Sequence, residues 1–83
     1  MGLPRYFFHV RDTTGLLVED PDGTELPNIA AARVEAAAAA REVMAEHIRK
    51  GEDVSGWRFE VTNERDQPVL SLLFRDAVKQ ADL

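Results

Sequence analysis

The sequence predicts an α+β domain in which one long helix crosses one face of a four-stranded antiparallel sheet. Three observations lead to this prediction. Residues 29–50 contain nine alanines and no glycine or proline, a composition typical of a helix. The segments on both sides alternate between apolar and polar residues, as half-buried strands do. Turn-forming residues separate these segments, so the expected element order is β-β-α-β-β.

Two strands are expected before the helix. Residues 5–11 alternate between two faces, with Tyr6, Phe8 and Val10 on one side and Arg5, Phe7, His9 and Arg11 on the other. A turn at 12–15 leads to a short second strand at 16–19, so that the two strands form a hairpin. A second turn at 20–23 and the connecting residues 24–27 then lead into the helix.

The helix is expected over residues 29–50. Asn28 is a good N-cap residue, and Gly51 is favourable just after the last turn. At the helical period, one side of the helix carries Ile29, Ala32, Ala36, Ala37, Ala40, Val43, Met44 and His47. Because alanine is small, this stripe predicts a helix that packs closely against a sheet.

Two further strands and a short tail follow the helix. Residues 57–62 alternate, with Trp57, Phe59 and Val61 on one side and Arg58, Glu60 and Thr62 on the other. Pro68 starts a fourth strand that runs to Phe74, since proline is accepted at the beginning of a strand or at a sheet edge. Residues 76–83 are interpreted as a short helix or a frayed end. All 83 residues are expected to form one domain.

The expected strand order is 2-1-3-4. A right-handed connection from strand two to strand three, with strand one between them, makes every neighbouring pair antiparallel. A helix of 22 residues is about 33 Å long, whereas strands of six or seven residues span about 20–23 Å. Apolar surface near Met44 and Ile48 therefore extends beyond the sheet, where the C-terminal tail or a second copy of the chain would cover it.

The second face of the sheet is expected to carry no helix. Together with the overhanging helix end it forms the candidate interaction surface, which consists of Phe7, His9, Arg11, Arg58, Glu60, Met44 and Ile48. One alternate set of the fourth strand also points outward, either Val69, Ser71 and Leu73 or Leu70, Leu72 and Phe74. Both sets are mostly apolar, and exposed apolar patches commonly mark association sites.

Charge and cysteine content argue against several classes of function. The chain has no cysteine and a formal net charge of −5, so it offers no disulfide framework and no thiolate zinc site. Net acidity disfavours nucleic acid as a partner, although Arg5, Arg11 and Arg58 beside Phe7 could form a local base-stacking platform. Apolar runs are too short to span a bilayer and no signal-peptide pattern is found, so a cytoplasmic, non-membrane protein is expected.

No pattern in the sequence indicates catalysis or metal binding. His9 and His47 are expected on opposite sides of the sheet, so they would not share a metal. The acidic turn 20–25 departs from a calcium-binding loop, because Val18 and Ile29 fall where oxygen ligands are required. Motifs of serine hydrolases, zinc proteases, phosphate loops and dinucleotide-binding folds are absent from the sequence. We therefore expect no catalytic residue, metal or cofactor.

Three segments resemble a family of short bacterial proteins of unknown function. They are the opening Pro4-Arg5-Tyr6-Phe7-Phe8-His9-Val10, the helix start Glu25-Leu26-Pro27 with Ala30-Ala31-Ala32-Arg33, and the strand Gly56-Trp57-Arg58-Phe59-Glu60-Val61. The turn 64–68 departs from the family pattern because it lacks the expected glycine. This resemblance implies the fold and no activity. The hairpin and helix also resemble, in topology alone, small antitoxin domains of the HicB type.

The sequence favours a non-enzymatic module that associates with itself or with a protein partner through the fourth strand, the open sheet face or the overhanging helix end. An alternative is an antitoxin-like or regulatory module that binds a protein or a nucleic acid through Phe7, His9, Arg11 and Arg58. A third interpretation is an enzyme or metal protein that uses His9 or His47.

Overall fold

The structure, a computed structural model, describes residues 2–79 and confirms the α+β class. Its elements in chain order are β1 (Arg5–Arg11), β2 (Leu17–Val18), β3 (Thr24–Glu25), α1 (Ile29–Arg49), β4 (Arg58–Thr62), β5 (Pro68–Leu73) and α2 (Asp76–Lys79). The strands expected at 16–19 and 57–62 are each slightly shorter than the sequence suggested. Residues 80–83 of the expected tail lie outside the described part of the chain.

The sheet is antiparallel and contains five strands instead of the expected four. Its order is β2-β1-β4-β5, and β3 pairs with β1 beside β2. The four expected strands therefore lie in the predicted order 2-1-3-4, but the prediction missed β3, because residues 24 and 25 pair with β1 before the chain enters the helix. The length of β1 explains the extra strand. β2 covers only the C-terminal end of β1, and β3 provides hydrogen-bonding partners for the N-terminal end.

The long helix forms where the sequence predicts it. The side chain of Asn28 accepts a hydrogen bond from the backbone N–H of Ala31 at 2.8 Å, which caps the N-terminus. After Lys50 the chain leaves the helix at Gly51, whose φ of 79° lies in the left-handed region that glycine tolerates. Four residues of the expected stripe are buried, namely Ala32, Ala36, Ala40 and Met44.

The core lies between α1 and the inner face of the sheet. Val61 and Phe74 are fully buried, and the rings of Phe59 and Phe74 lie 4.9 Å apart between centres. In the pairing of β4 with β5, Phe59 faces Leu72 and Val61 faces Leu70. This register turns the set Leu70, Leu72 and Phe74 toward α1. Side chains that face each other across a ladder share a face, so Ser71 and Leu73 point outward with Glu60 and Arg58.

A register shift displaces Val69 from the outward set. Val61 pairs with Leu70 while the next residue of β4, Thr62, pairs with Pro68, so Val69 has no residue opposite it. Its side chain packs against the core instead of the open face. Such a bulge bends the beginning of a strand, and it leaves only the second half of β5 regular.

The helix end at Met44 is covered, and the C-terminal tail, one of the two covers expected from the sequence, packs against this helix as α2. The prediction that Met44 belongs to the exposed interaction surface is therefore wrong. Met44 is only 8% exposed. The short helix α2 packs against α1, where Ala77 is buried and Arg41 donates to its carbonyl at 3.1 Å. Val54, in the loop after α1, is buried in the same cluster. Ile48 is the part of the expected overhang that is exposed, at 67%.

The turn before β5 contains a residue with positive φ, although the glycine expected from the family resemblance is missing. Asp66 has a φ of 61°, in the left-handed region that aspartate tolerates better than most residues. Asn63 organises the turn, because its side-chain oxygen accepts the backbone N–H groups of Arg65 and Gln67 at 2.9 and 3.0 Å. A short polar side chain thus replaces the expected glycine at little cost.

Candidate functional site

The open face of the sheet brings together five of the seven residues predicted to form an interaction surface. On β1 and β4, His9 faces Glu60 and Arg11 faces Arg58, with Phe7 one pleat further along β1. Ile48 lies on α1, on the other side of the sheet, and Met44 is buried beneath that helix. The predicted surface therefore divides into an open sheet face and a separate position on the helix.

Arg11 and Glu60 form a two-point ion pair at the centre of the open face. Arg11 donates from Nε and Nη2 to the Glu60 carboxylate at 2.7 and 3.1 Å, and from Nη1 to the carbonyl of Gly15 at 2.8 Å. The hydrogen bonds from Arg11 hold the pKa of Glu60 below its usual value, and those to Glu60 raise the pKa of Arg11. With its donors engaged, Arg11 is poorly placed to bind a phosphate.

The other two arginines of the predicted base-stacking platform also have partners within the chain. Arg5 donates to Glu25 at 3.1 Å and to the carbonyl of Asp22 at 2.9 Å. Arg58 donates from Nη1 to the Ser71 hydroxyl at 3.1 Å. These contacts connect neighbouring strands. The charge of Arg5 is paired with Glu25, and the guanidinium of Arg58 is engaged by a neutral hydroxyl.

His9 and Asp20 close the gap between β2 and β3 along the edge of β1. The Asp20 carboxylate accepts the backbone N–H of Phe8 at 3.1 Å, and the backbone N–H of Asp20 donates to Nδ1 of His9 at 3.0 Å. Because Nδ1 is an acceptor, the ring proton of neutral His9 is on Nε2, which donates to the Thr62 hydroxyl at 3.0 Å. His9 therefore links β1 to β4 through Thr62, and it also anchors the loop after β2.

A shallow acidic cleft of about 390 Å³ lies at one end of the open face, beside the rings of Phe7 and His9. These two rings are nearly parallel, with centres 6.4 Å apart. Four carboxylates line the cleft, from Glu19, Asp20, Glu64 and Asp66. Their charge repels an anionic ligand, which further weakens the nucleic-acid interpretation of this face.

The second histidine lies on the opposite side of the sheet. His47, near the end of α1, packs edge-on against Trp57 with ring centres 5.1 Å apart. Its Nδ1 lies 2.6 Å from the carboxylate of Glu52. Within residues 2–79, no three His, Cys, Asp or Glu side chains gather where they could hold a metal ion.

The outer edge of β5 is a further surface. The sequence favoured the fourth strand as one route of association, but the candidate interaction surface contains none of its residues. Phe74 donates its backbone N–H to the carbonyl of Trp57 at 2.8 Å, toward β4. Hydrogen-bonding direction alternates along an antiparallel strand, so the backbone groups of Ser71 and Leu73 point away from β4. Among residues 2–79, no strand pairs with that side. The sequence shows that the side chains of this strand alternate between two faces. It does not show which backbone N–H and C=O groups point away from β4, because that depends on how β5 pairs with β4.

This edge carries none of the charged side chains that usually protect a strand edge. Residues 68–74 are Pro-Val-Leu-Ser-Leu-Leu-Phe, and Ser71 is exposed. Among residues 2–79, the features that protect this edge are Pro68 and the bulge at Val69, both at the beginning of the strand. At the opposite edge of the sheet, β2 has only two residues. The second half of β5 is thus the longer regular edge on which another strand can add.

Comparison with known proteins identifies one family. A family model described as a domain of unknown function (DUF6894) matches residues 5–75, a range that includes all five strands and α1. No curated protein and no solved structure matches the chain.

Proposed function

We propose, for this chain that belongs to the DUF6894 family, a role as a non-enzymatic module that associates with a second copy of itself through the outer edge of β5. The two five-stranded sheets then form one continuous sheet. Ser71 and Leu73 supply the backbone groups, and the half-buried side chains of Leu72 and Leu73 supply the apolar surface.

The observation that supports this proposal is the unprotected edge itself. A row of unpaired N–H and C=O groups is a template for another strand, and monomeric proteins usually block it with lysine, glutamate or a covering loop. The edge of β1 is blocked in this way, since β2, β3 and the Asp20 loop occupy its length. Within the described part of the chain, the edge of β5 is protected by a proline and a bulge at its beginning.

The open face of the sheet supports the alternative role less well. A regulatory or antitoxin-like module that uses Phe7, His9, Arg11 and Arg58 would need these groups to be available to a partner. Arg11 is engaged with Glu60, Arg58 with Ser71, and His9 with both Thr62 and Asp20. Binding there would first have to break these contacts.

Sedimentation velocity over a wide range of concentrations tests the proposal, with Ser71→Pro as the variant. Proline at position 71 removes an N–H that points away from β4, so the ladder inside the monomer is preserved. Ser71→Ala is the matched control, because it also loses the hydroxyl that accepts from Arg58 but keeps the N–H.

We expect the wild-type chain and Ser71→Ala to form dimers with increasing concentration, and Ser71→Pro to remain monomeric with an unchanged circular dichroism spectrum. A wild-type chain that is monomeric at the highest concentration overturns the proposal. The same conclusion follows if folded Ser71→Pro dimerises as well as the control does.

A further inference from the structure

We propose that the two copies pair antiparallel with a two-fold axis at Leu72, so that Ser71 of one copy faces the partner's Leu73. This inference rests on the proposed function and adds the register and the orientation of the partner. Two independent observations, one from the backbone and one from the charges, point to the same axis.

The backbone observation is the number of β5 residues that can form hydrogen bonds with a second copy. The bulge removes Val69 from the regular ladder, and the N–H of Arg75 already donates to the carbonyl of Ser55. Ser71 and Leu73 are therefore the two regular positions whose backbone groups point outward. A hydrogen-bonded pair in an antiparallel ladder exchanges two bonds. An axis at Leu72 forms two such pairs, whereas an axis at Ser71 or Leu73 forms only one between regular positions.

The charge observation concerns two charged residues of β4, the strand next to β5. On the open face, Arg58 lies beside Leu73 and Glu60 lies beside Ser71. An axis at Leu72 aligns each Arg58 with the partner's Glu60 in one cross-strand row. An axis at Ser71 would align Glu60 with the partner's Glu60, and an axis at Leu73 would align the two Arg58 residues. In the row formed by the axis at Leu72, Arg58 and the partner's Glu60 are separated by three strand spacings, about 14 Å, so they form no ion pair. Of the three axes, the one at Leu72 is the one that aligns no two like charges across the interface.

The side chains are compatible with this register on both faces. On the helix side, Leu72 meets the partner's Leu72 at the axis, and Leu70 faces the partner's Phe74. On the open face, the small Ser71 lies opposite Leu73, so neither row brings two charged groups into direct contact. Leu70 and Phe74 are already buried in each monomer, so the apolar burial gained on pairing comes from the half-buried Leu72 and Leu73.

Disulfide trapping of single-cysteine variants tests the register, because the chain contains no cysteine of its own. Ser71→Cys and Leu73→Cys are made separately and oxidised mildly, each alone and as an equal mixture, after sedimentation has established the dimer. With the axis at Leu72, position 71 lies about 5.5 Å from the partner's position 73 between Cα atoms, within disulfide range. Positions 71 and 71 are then about 8–9 Å apart, beyond that range.

We expect covalent dimers to form about tenfold faster in the mixture than in either single variant. Faster trapping of Ser71→Cys alone, or of Leu73→Cys alone, moves the axis to that residue and overturns the register while the proposed function stands. No trapping in any sample, for folded variants that do sediment as dimers, overturns the register as well. A wild-type chain that never dimerises overturns the proposed function and this inference together.

Discussion

Replacing Asp20 with alanine is expected to destabilise the folded chain by about 2–3 kcal/mol. The Asp20 carboxylate accepts the backbone N–H of Phe8 at 3.1 Å and those of Asp22 and Gly23 at 3.2 Å. A hydrogen bond contributes about 0.5–1.5 kcal/mol net, so three contribute about 1.5–4.5 kcal/mol. Because the carboxylate is partly exposed to water, we expect a loss in the lower half of that range. The bond from Phe8 matters most, because that N–H lies in the gap between β2 and β3.

Urea denaturation followed by the fluorescence of Trp57, the only tryptophan, measures this loss. Asp22→Ala is the matched control: it removes a carboxylate from the same turn, and among residues 2–79 no hydrogen bond to that carboxylate is found. The control is expected to change the free energy of unfolding by less than about 0.5 kcal/mol. If Asp20→Ala loses no more than the control, the loop is not anchored by its carboxylate and our reasoning is refuted.

The same pair of proteins tests the pH dependence. Partial burial raises the pKa of Asp20, but its three N–H donors outweigh that effect and hold the pKa below its usual value. The stabilisation from Asp20 is therefore complete above the unfolded-state pKa of about 3.9. It is lost as the pH falls through the lower folded-state value. Wild type and Asp20→Ala should converge in stability in acid, and a constant difference at all pH values would contradict the assignment.

Three further substitutions give results that urea or thermal denaturation can check. Phe74→Ala is expected to cost about 3–5 kcal/mol, because this ring is fully buried; a cost below about 1 kcal/mol would contradict its place in the core. Gly23→Ala should cost about 1–3 kcal/mol, since φ is 71° and an added Cβ would lie 2.9 Å from the ring of Phe7. Gly15 also has a positive φ, of 96°, but a Cβ added there would contact nothing, so Gly15→Ala should cost less than Gly23→Ala. An equal cost for the two variants would mean that the neighbours of position 23 move aside and that crowding there adds nothing. Asn28→Ala removes the helix cap and should cost about 1 kcal/mol, whereas Asn28→Ser should restore most of it; no difference between the two variants would exclude a capping role.

Local patterns were sufficient to predict the main elements of the fold. The alanine-rich segment and the residues Asn28 and Gly51 mark α1 almost to the residue, because caps and helix propensity act within a few positions of the chain. The two-residue period of β1 and β4 likewise placed Phe7, His9, Arg11, Arg58 and Glu60 on one face. Their role as an interaction surface remains a prediction.

Pairing between distant segments could not be predicted in the same way. Arg11 might have paired with any acidic residue of the open face, and only the strand register places Glu60 within 2.7 Å of it. The anchoring of the loop by Asp20 depends on the gap between β2 and β3, which no local pattern reveals. Met44 belongs to a core cluster that includes Val54 and Ala77, which lie 10 and 33 residues later in the chain.

The sequence by itself determined which residues form strands and helix, and which side chains share a face, since periodicity and capping are properties of neighbouring residues. The tertiary structure decided which backbone groups of β5 point outward, because that direction depends on its ladder with β4 and on the bulge at Val69. It also decided that Arg5 pairs with Glu25 and Arg11 with Glu60 across neighbouring strands. An unpaired strand edge is a property of the assembled sheet, and it exists only after every other pairing has been made.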